Sequence, residues 1–178
     1  MTNAPVAEAM SREGRGTQAT SEQGKSRPTD WSEAQRRFGE GGWFWLATVR
    51  ADGTPHVMPV FAAWGGSTFF IASKDSTRKS RDLNADGRCV ISHDSGDMHL
   101  VVEGTARKVT DDATLARASA AFADVYSWPT RVSEGKLDAD YGAPTSGGPP
   151  YDVYEVSPTK AFGFPTDGES FTPTRWRF

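Results

Sequence analysis

The chain has 178 residues, a length that fits one domain at ~100–200 residues per domain. Lys and Arg number 20 against 23 Asp and Glu, giving a net charge of −3 and a pI near 5.6, which argues against a general nucleic-acid or membrane-surface binder. The single Cys89 excludes an intramolecular disulfide and a CxxC metal site. No apolar run approaches the ~18 residues of a membrane span or the core of a signal peptide, so a soluble cytoplasmic protein is expected.

Residues 1–30 are polar and contain no aromatic side chain. Such a segment buries too little apolar surface to offset its ordering entropy, so a disordered tail is expected, with the folded domain spanning 31–178. Asp30 and Glu33 have the spacing of a helix start, and Gly41-Gly42 ends that helix. Residues 43–50 and 54–64 then read as strands around Asp52-Gly53, a strong hairpin signal. Gly65-Gly66 turns the chain into a third strand over 67–73, which predicts a three-stranded meander.

Asp75, Ser76 and Thr77 offer a cap for a short helix over 78–85. Strands follow at 88–93 and 98–109, the second bent at Gly104. Residues 111–128 carry apolar side chains at helical spacing, and Pro129 ends them. Residues 133–150 read as loop. Further short strands are expected at 151–156, 160–164 and 175–178. Many short strands with a few helices predict a mainly β, antiparallel barrel.

The stretch Ser76, Thr77, Arg78, Lys79, Ser80, Arg81 sets two hydroxyls and three cations at a strand-to-helix junction. Free N–H groups and the positive end of the helix dipole point at the same place. That arrangement suits a phosphate; it also suits an ordinary helix terminus with a solvated basic face. His56, His93 and His99 lack the partners of a metal motif, and no metal is expected. There is no GxSxG nucleophile, and Cys89 reads as a small buried apolar residue. Trp43 and Trp45 share one strand face and read as core, whereas Trp64 and Trp176 suit a dimer seam or a flat ligand.

The segments 45–49, 51–60, 70–73, 77–83, 86–90 and 102–106, with Thr174, Arg175, Trp176, Arg177 and Phe178 at the end, together resemble the flavin-binding split-barrel proteins related to pyridoxamine 5′-phosphate oxidase. They are most similar to the actinobacterial FMN- or F420-type oxidoreductases. The resemblance implies a Greek-key-like split barrel, a homodimer with a cofactor at each subunit seam, and FMN or coenzyme F420 as that cofactor. It places Met58, Pro59, Val60, Phe61, Ala62 and Ala63 beside the ring, with Ala72 and Ser73 bordering it. It places Thr77, Arg78 and Lys79 on the phosphate, His99 near the ring, and Arg175 and Trp176 in a segment reaching the active site.

Met58, Ala63 and Ala72 stand where pyridoxamine phosphate oxidases have Arg, Lys and Tyr, and their Arg-x-His substrate motif is absent. The resemblance therefore implies hydride transfer to another small conjugated molecule, with no catalytic side chain identified. A non-catalytic flavin or haem carrier on the same barrel is the alternative.

Overall fold

The computed structural model describes residues 4–10, 28–142, 147–166 and 172–178. The described elements run β1 (Val6–Ala9), α1 (Trp31–Gly39), β2 (Phe44–Val49), β3 (Pro55–Val60), β4 (Ala62–Trp64), β5 (Phe69–Ser73), α2 (Arg78–Ala85), β6 (Arg88–Asp94) and β7 (Met98–Val109). They continue with α3 (Asp112–Tyr126), β8 (Thr130–Ser133), β9 (Lys136–Ala139), β10 (Asp152–Pro165) and β11 (Thr174–Arg177). None of the helices is long and apolar enough to cross a membrane.

The main sheet is antiparallel throughout and runs β1-β11-β10-β7-β6-β2-β3, with β5 pairing both β10 and β4. Of its three terminal strands, β1, β3 and β4, the last two are consecutive in the chain and joined only through Phe61. The expected single strand over 54–64 is thus broken, and each half serves one edge of a split barrel. Both pairings of the expected meander form, β2 with β3 and β4 with β5, but its middle strand is split at Phe61, and β5 also pairs with β10.

The turn between β2 and β3 forms as the Asp-Gly signal predicts. Asp52 accepts from the Thr54 N–H at 2.9 Å, and Gly53 takes φ +83°, a conformation that glycine adopts without cost. Thr77 caps α2 by accepting from the Ser80 N–H, and Asp111 caps α3 by accepting from the Thr114 N–H. Asp30 makes no such side-chain bond; Glu33 instead pairs with Arg36 and Arg37.

The barrel interior holds Phe38, Phe44, Leu46, Phe69, Ile71, Ile91, Leu100, Tyr154 and Trp176. A second core lies under α3, where Leu115 and Phe122 meet Phe70, Val153 and Trp128. Strand β5 lies between the two cores and is buried along its whole length.

Four expectations are corrected. Val6–Ala9, expected in a disordered tail, is a strand on β11, with Glu8 opposite Arg175; residues 11–27 lie outside the described part. The expected loop over 133–150 contains β9, which pairs with β8, while Arg131 bridges Asp138 and Asp140. The two strands expected at 151–156 and 160–164 are one strand, because the ladder with β7 continues past Pro158 and absorbs Thr159 as a bulge. That bulge lies beside Gly104, where an added Cβ would stand 2.6 Å from the Ser157 carbonyl oxygen. Trp43 and Trp45, expected in the core, are 54% and 51% exposed. The alternation was read correctly but the inward face is the other one, which carries Phe44 and Leu46.

Candidate functional site

Strand β5 ends at Ser73, and α2 begins four residues later. The Ser73 and Thr77 hydroxyls lie 2.8 Å apart, and Thr77 also contacts the Lys74 carbonyl at 2.9 Å and the Ser80 hydroxyl at 3.1 Å. These bonds hold the first turn of α2, whose N–H groups lack intrahelical partners, next to the strand end. Arg78 is exposed there, while Lys79 is buried, at 4% exposure.

Lys79 makes no hydrogen bond or ion pair with any described residue, and burial alone pushes its ammonium below the ordinary lysine range. A buried cation costs free energy unless it is paired. The α2 terminus therefore presents a partly desolvated positive charge that no described carboxylate pairs with. One turn on, Asp82 is also buried, but its carboxylate accepts from the Thr48 hydroxyl at 2.9 Å. It forms no ion pair with Lys79.

Across the ladder from Ser73 stands Asp152, whose side chain is fully buried. Lys108 reaches it at 2.6 Å and Lys136 at 3.2 Å. Two cations on one carboxylate leave this region without a net negative charge facing the α2 terminus. The sequence reading missed this cluster, because Lys108, Lys136 and Asp152 come from three separate strands.

The Met58-to-Ala63 stretch is continuous with this region through β4. Ala62 pairs with Ile71 and Ala63 with Phe70, so the Phe61 end of β4 lies nearest Ala72 and Ser73, and the chain runs from there toward Phe69. Met58 is 38% exposed and Pro59 and Phe61 are partly exposed, whereas Val60, Ala62 and Ala63 are sealed in the cores. Those three offer a ligand backbone groups only. Strand β3 pairs with β2 on one side and with no described strand on the other. Its Pro59 sits where an unpaired edge tolerates a missing N–H.

The break at Phe61 is held by Tyr126, a residue the sequence reading used only for helical spacing. Its ring stacks on Phe61 at 4.2 Å and 15°. Its hydroxyl accepts from the Ala62 N–H at 3.2 Å and lies 3.2 Å from the carbonyl oxygens of Gly42 and Ala62. Burial pushes that hydroxyl well above the ordinary tyrosine range, so it stays protonated as a structural pin.

The structure does not bring His99, Arg175 and Trp176 to this place within one chain. Ser73 lies opposite Asp152 on β10, while Arg175 lies opposite Phe162 and His99 opposite Phe164, roughly 33 and 40 Å along the strand at ~3.3 Å per residue. His99 is exposed, with Nδ1 3.5 Å from Asp94, and Arg175 pairs with Glu8. Trp176 is fully buried: its Nε1 donates to the Thr29 carbonyl at 3.0 Å, and its ring fills the space left by Gly163. Its role is packing, and its assignment to a ligand is withdrawn. Cys89 is buried, with its thiol pushed up to about 12, as expected for a small core residue. Among the described residues no group of three or more His, Cys, Asp or Glu is placed to hold a metal.

A family model described as pyridoxamine 5′-phosphate oxidase matches residues 31–163. No curated protein matches the chain. Among solved structures, an F420 reductase is 22% identical with a TM-score of 0.51, over 71% of this chain and 94% of that one. A conserved hypothetical protein from Mycobacterium tuberculosis is 16% identical with a TM-score of 0.62, over 82% and 90%. A heme binding protein from Mycobacterium smegmatis is 19% identical with a TM-score of 0.57, over 80% and 56%. At these identities the likeness is one of fold.

Proposed function

The chain belongs to the pyridoxamine 5′-phosphate oxidase family, and we propose that it is a homodimeric oxidoreductase that binds FMN or coenzyme F420. In this reading it passes hydride between that cofactor and a small conjugated molecule other than pyridoxamine phosphate. The observation that carries the reading is Lys79, a largely buried lysine without a carboxylate partner among the described residues, beside Arg78 and the Thr77 cap. A phosphate anion supplies the missing counter-charge. Both cofactors carry a phosphate, so this end of the site suits either.

When bound, the cofactor ring supplies the hydride chemistry, and the protein supplies orientation and electrostatics. Lys79 and Arg78 give charge-assisted bonds to the phosphate, and the free N–H groups of the α2 terminus add to them. Ser73 and Thr77 fix that terminus. The open edge of β3 offers backbone groups to the polar rim of a flat ring. Tyr126 keeps β3 and β4 apart at Phe61, which keeps that edge unpaired.

The test is equilibrium titration with FMN, F420 and riboflavin. Bonds to charged groups contribute roughly 1.5–3 kcal/mol each, so Lys79→Met and Arg78→Ala should each weaken FMN and F420 by about 10- to 150-fold. Riboflavin, which has no phosphate, should be unaffected. Arg107→Ala, whose partner is Glu155, should bind as the parent does. Parent-like FMN and F420 affinity in both site variants would sink the assignment.

The second reading, a non-catalytic flavin or haem carrier, draws support from the fold shared with the M. smegmatis heme binding protein. It requires tight cofactor binding with no turnover of quinone or nitroaromatic acceptors.

A further inference from the structure

At the far end of β5 from Ser73, a cavity of about 490 Å³ opens between α1, the β4–β5 turn and the chain termini. Its walls include Trp31 and Gln35 of α1, Trp64 and Ser67 at the turn, and Phe178. Strand β5 is about 17 Å long at ~3.3 Å per residue, so this cavity is separate from the α2 terminus. Among the described residues that line it, none has an ionisable side chain.

The aromatic walls are held from behind. Trp31 meets Trp64 at 5.9 Å and Phe178 at 4.9 Å, both edge to face, and Trp64 meets the buried Phe69 at 4.7 Å. The turn is closed by the Gly65 N–H donating to the Thr68 carbonyl at 2.8 Å. It is tied to α1 by Gln35, whose Nε2 donates to the Gly66 carbonyl at 3.1 Å. That bond orients the amide and leaves its Oε1 as an acceptor, and Ser67 adds a hydroxyl to the lining.

We infer that this cavity is a second small-molecule site, which takes a neutral, planar aromatic ligand bearing a hydroxyl or N–H donor. Ligand pockets typically measure ~300–1,000 Å³ and combine apolar walls with a few polar groups, and this cavity does both. Three aromatic side chains favour offset or edge-to-face contact with another ring. A charged ligand would lose hydration here and find no counter-charge, which selects a neutral one. The sequence had already set Trp64 apart as suited to a flat ligand, and the cofactor site does not use it.

The test titrates the full chain with 2-naphthol, followed by tryptophan fluorescence and by equilibrium dialysis. Saturable binding below 1 mM is expected. Ser67 is exposed, so Ser67→Trp fills the cavity without touching the core and should weaken 2-naphthol at least tenfold. Trp64→Leu should weaken it as well. Saturating FMN should not displace 2-naphthol, and Lys79→Met should bind it as the parent does, while Ser67→Trp should bind FMN as the parent does. Those arms separate failure here from failure of the phosphate site. Absence of saturation in the parent, unchanged affinity in Ser67→Trp, or displacement by FMN would each overturn the inference.

Discussion

Glu8 and Arg175 stand opposite each other on adjacent strands, and the Arg175 Nε donates to the Glu8 carboxylate at 3.1 Å. Arg177 approaches the same carboxylate at 3.5 Å. These two cations hold the Glu8 carboxyl below the usual glutamate range, with the Arg175 hydrogen bond the largest cause. The pair fastens a segment whose composition alone predicts disorder onto the free edge of β11, whose other edge pairs with β10.

Removing residues 1–10 should therefore lower the melting temperature by several degrees, since ~1 kcal/mol shifts a domain of this size by about 2–4 °C. Glu8→Gln should give a smaller fall. Because the Glu8 pKa is lowered on folding, its contribution is present above the ordinary value of 4.5 and fades as pH drops below it. The gap between parent and Glu8→Gln should accordingly close in acid. A truncated chain that melts with the parent would mean that β1 adds nothing.

Lys79 predicts the opposite sign. Its pKa is lowered by burial, so just below the ordinary lysine value of 10.5 the unfolded chain binds more protons than the folded one. Stability of the cofactor-free protein should then rise with pH in that window. Lys79→Met removes an unpaired buried charge and should stabilise the cofactor-free protein by about 0.5–2 kcal/mol, a typical gain when a site's functional strain is relieved. It should also flatten the alkaline rise. Denaturant titrations at pH 8 and pH 10 check both effects; a destabilised variant with the parental slope would show that Lys79 is an ordinary packing residue.

How far the sequence reaches is clear from these two residues. The caps at Thr77 and Asp111 and the Asp52-Gly53 turn depend on residues within a few positions, so they are readable locally. The pairing of β1 with β11 is set by Arg175 and Arg177, more than 160 positions away, and no local pattern carries it. Alternation in β2 identifies two faces but not which one turns inward, hence the reversal of Trp43 and Trp45. The basic cluster at α2 was legible as a motif. That Lys79 is buried and unpaired was not, since it depends on what packs around it. Trp176 was misplaced because the space it fills is left by Gly163 on a different strand.

Tyr126→Phe tests the pin at the strand break. The change keeps the stacked ring on Phe61 and removes only the hydroxyl that accepts from the Ala62 N–H. Leaving a buried donor unsatisfied costs about 1–3 kcal/mol. The denaturant midpoint should fall by that amount with an unchanged slope, and hydrogen exchange should quicken at the Ala62 amide ahead of the β5 amides. Parental exchange at Ala62 would show that the break is held by packing alone.

The outer face of β2 and β3 carries the last prediction. Trp45 and Val57, each 51% exposed, lie on this face with Pro59 directly opposite Trp45 and Ala47 directly opposite Val57. Trp43, 54% exposed, stands one step beyond the end of β2. Large apolar side chains gathered on one exposed face mark an interaction surface, and a second copy of this chain in an isologous arrangement is the occupant proposed above. In the dimer proposed above, His99 and Arg175, roughly 30–40 Å of strand from Ser73 within one chain, would approach the α2 terminus of the other. Trp45→Glu places a charge on this face, where a surface change alters monomer stability by only about 0.5 kcal/mol. Sedimentation at micromolar concentration should show a dimer for the parent and a monomer for the variant. FMN affinity should fall with the loss of the dimer, although Trp45 lies outside the phosphate cluster. A parent that sediments as a monomer while binding FMN fully would mean that the site is complete in one chain and that this face serves another partner.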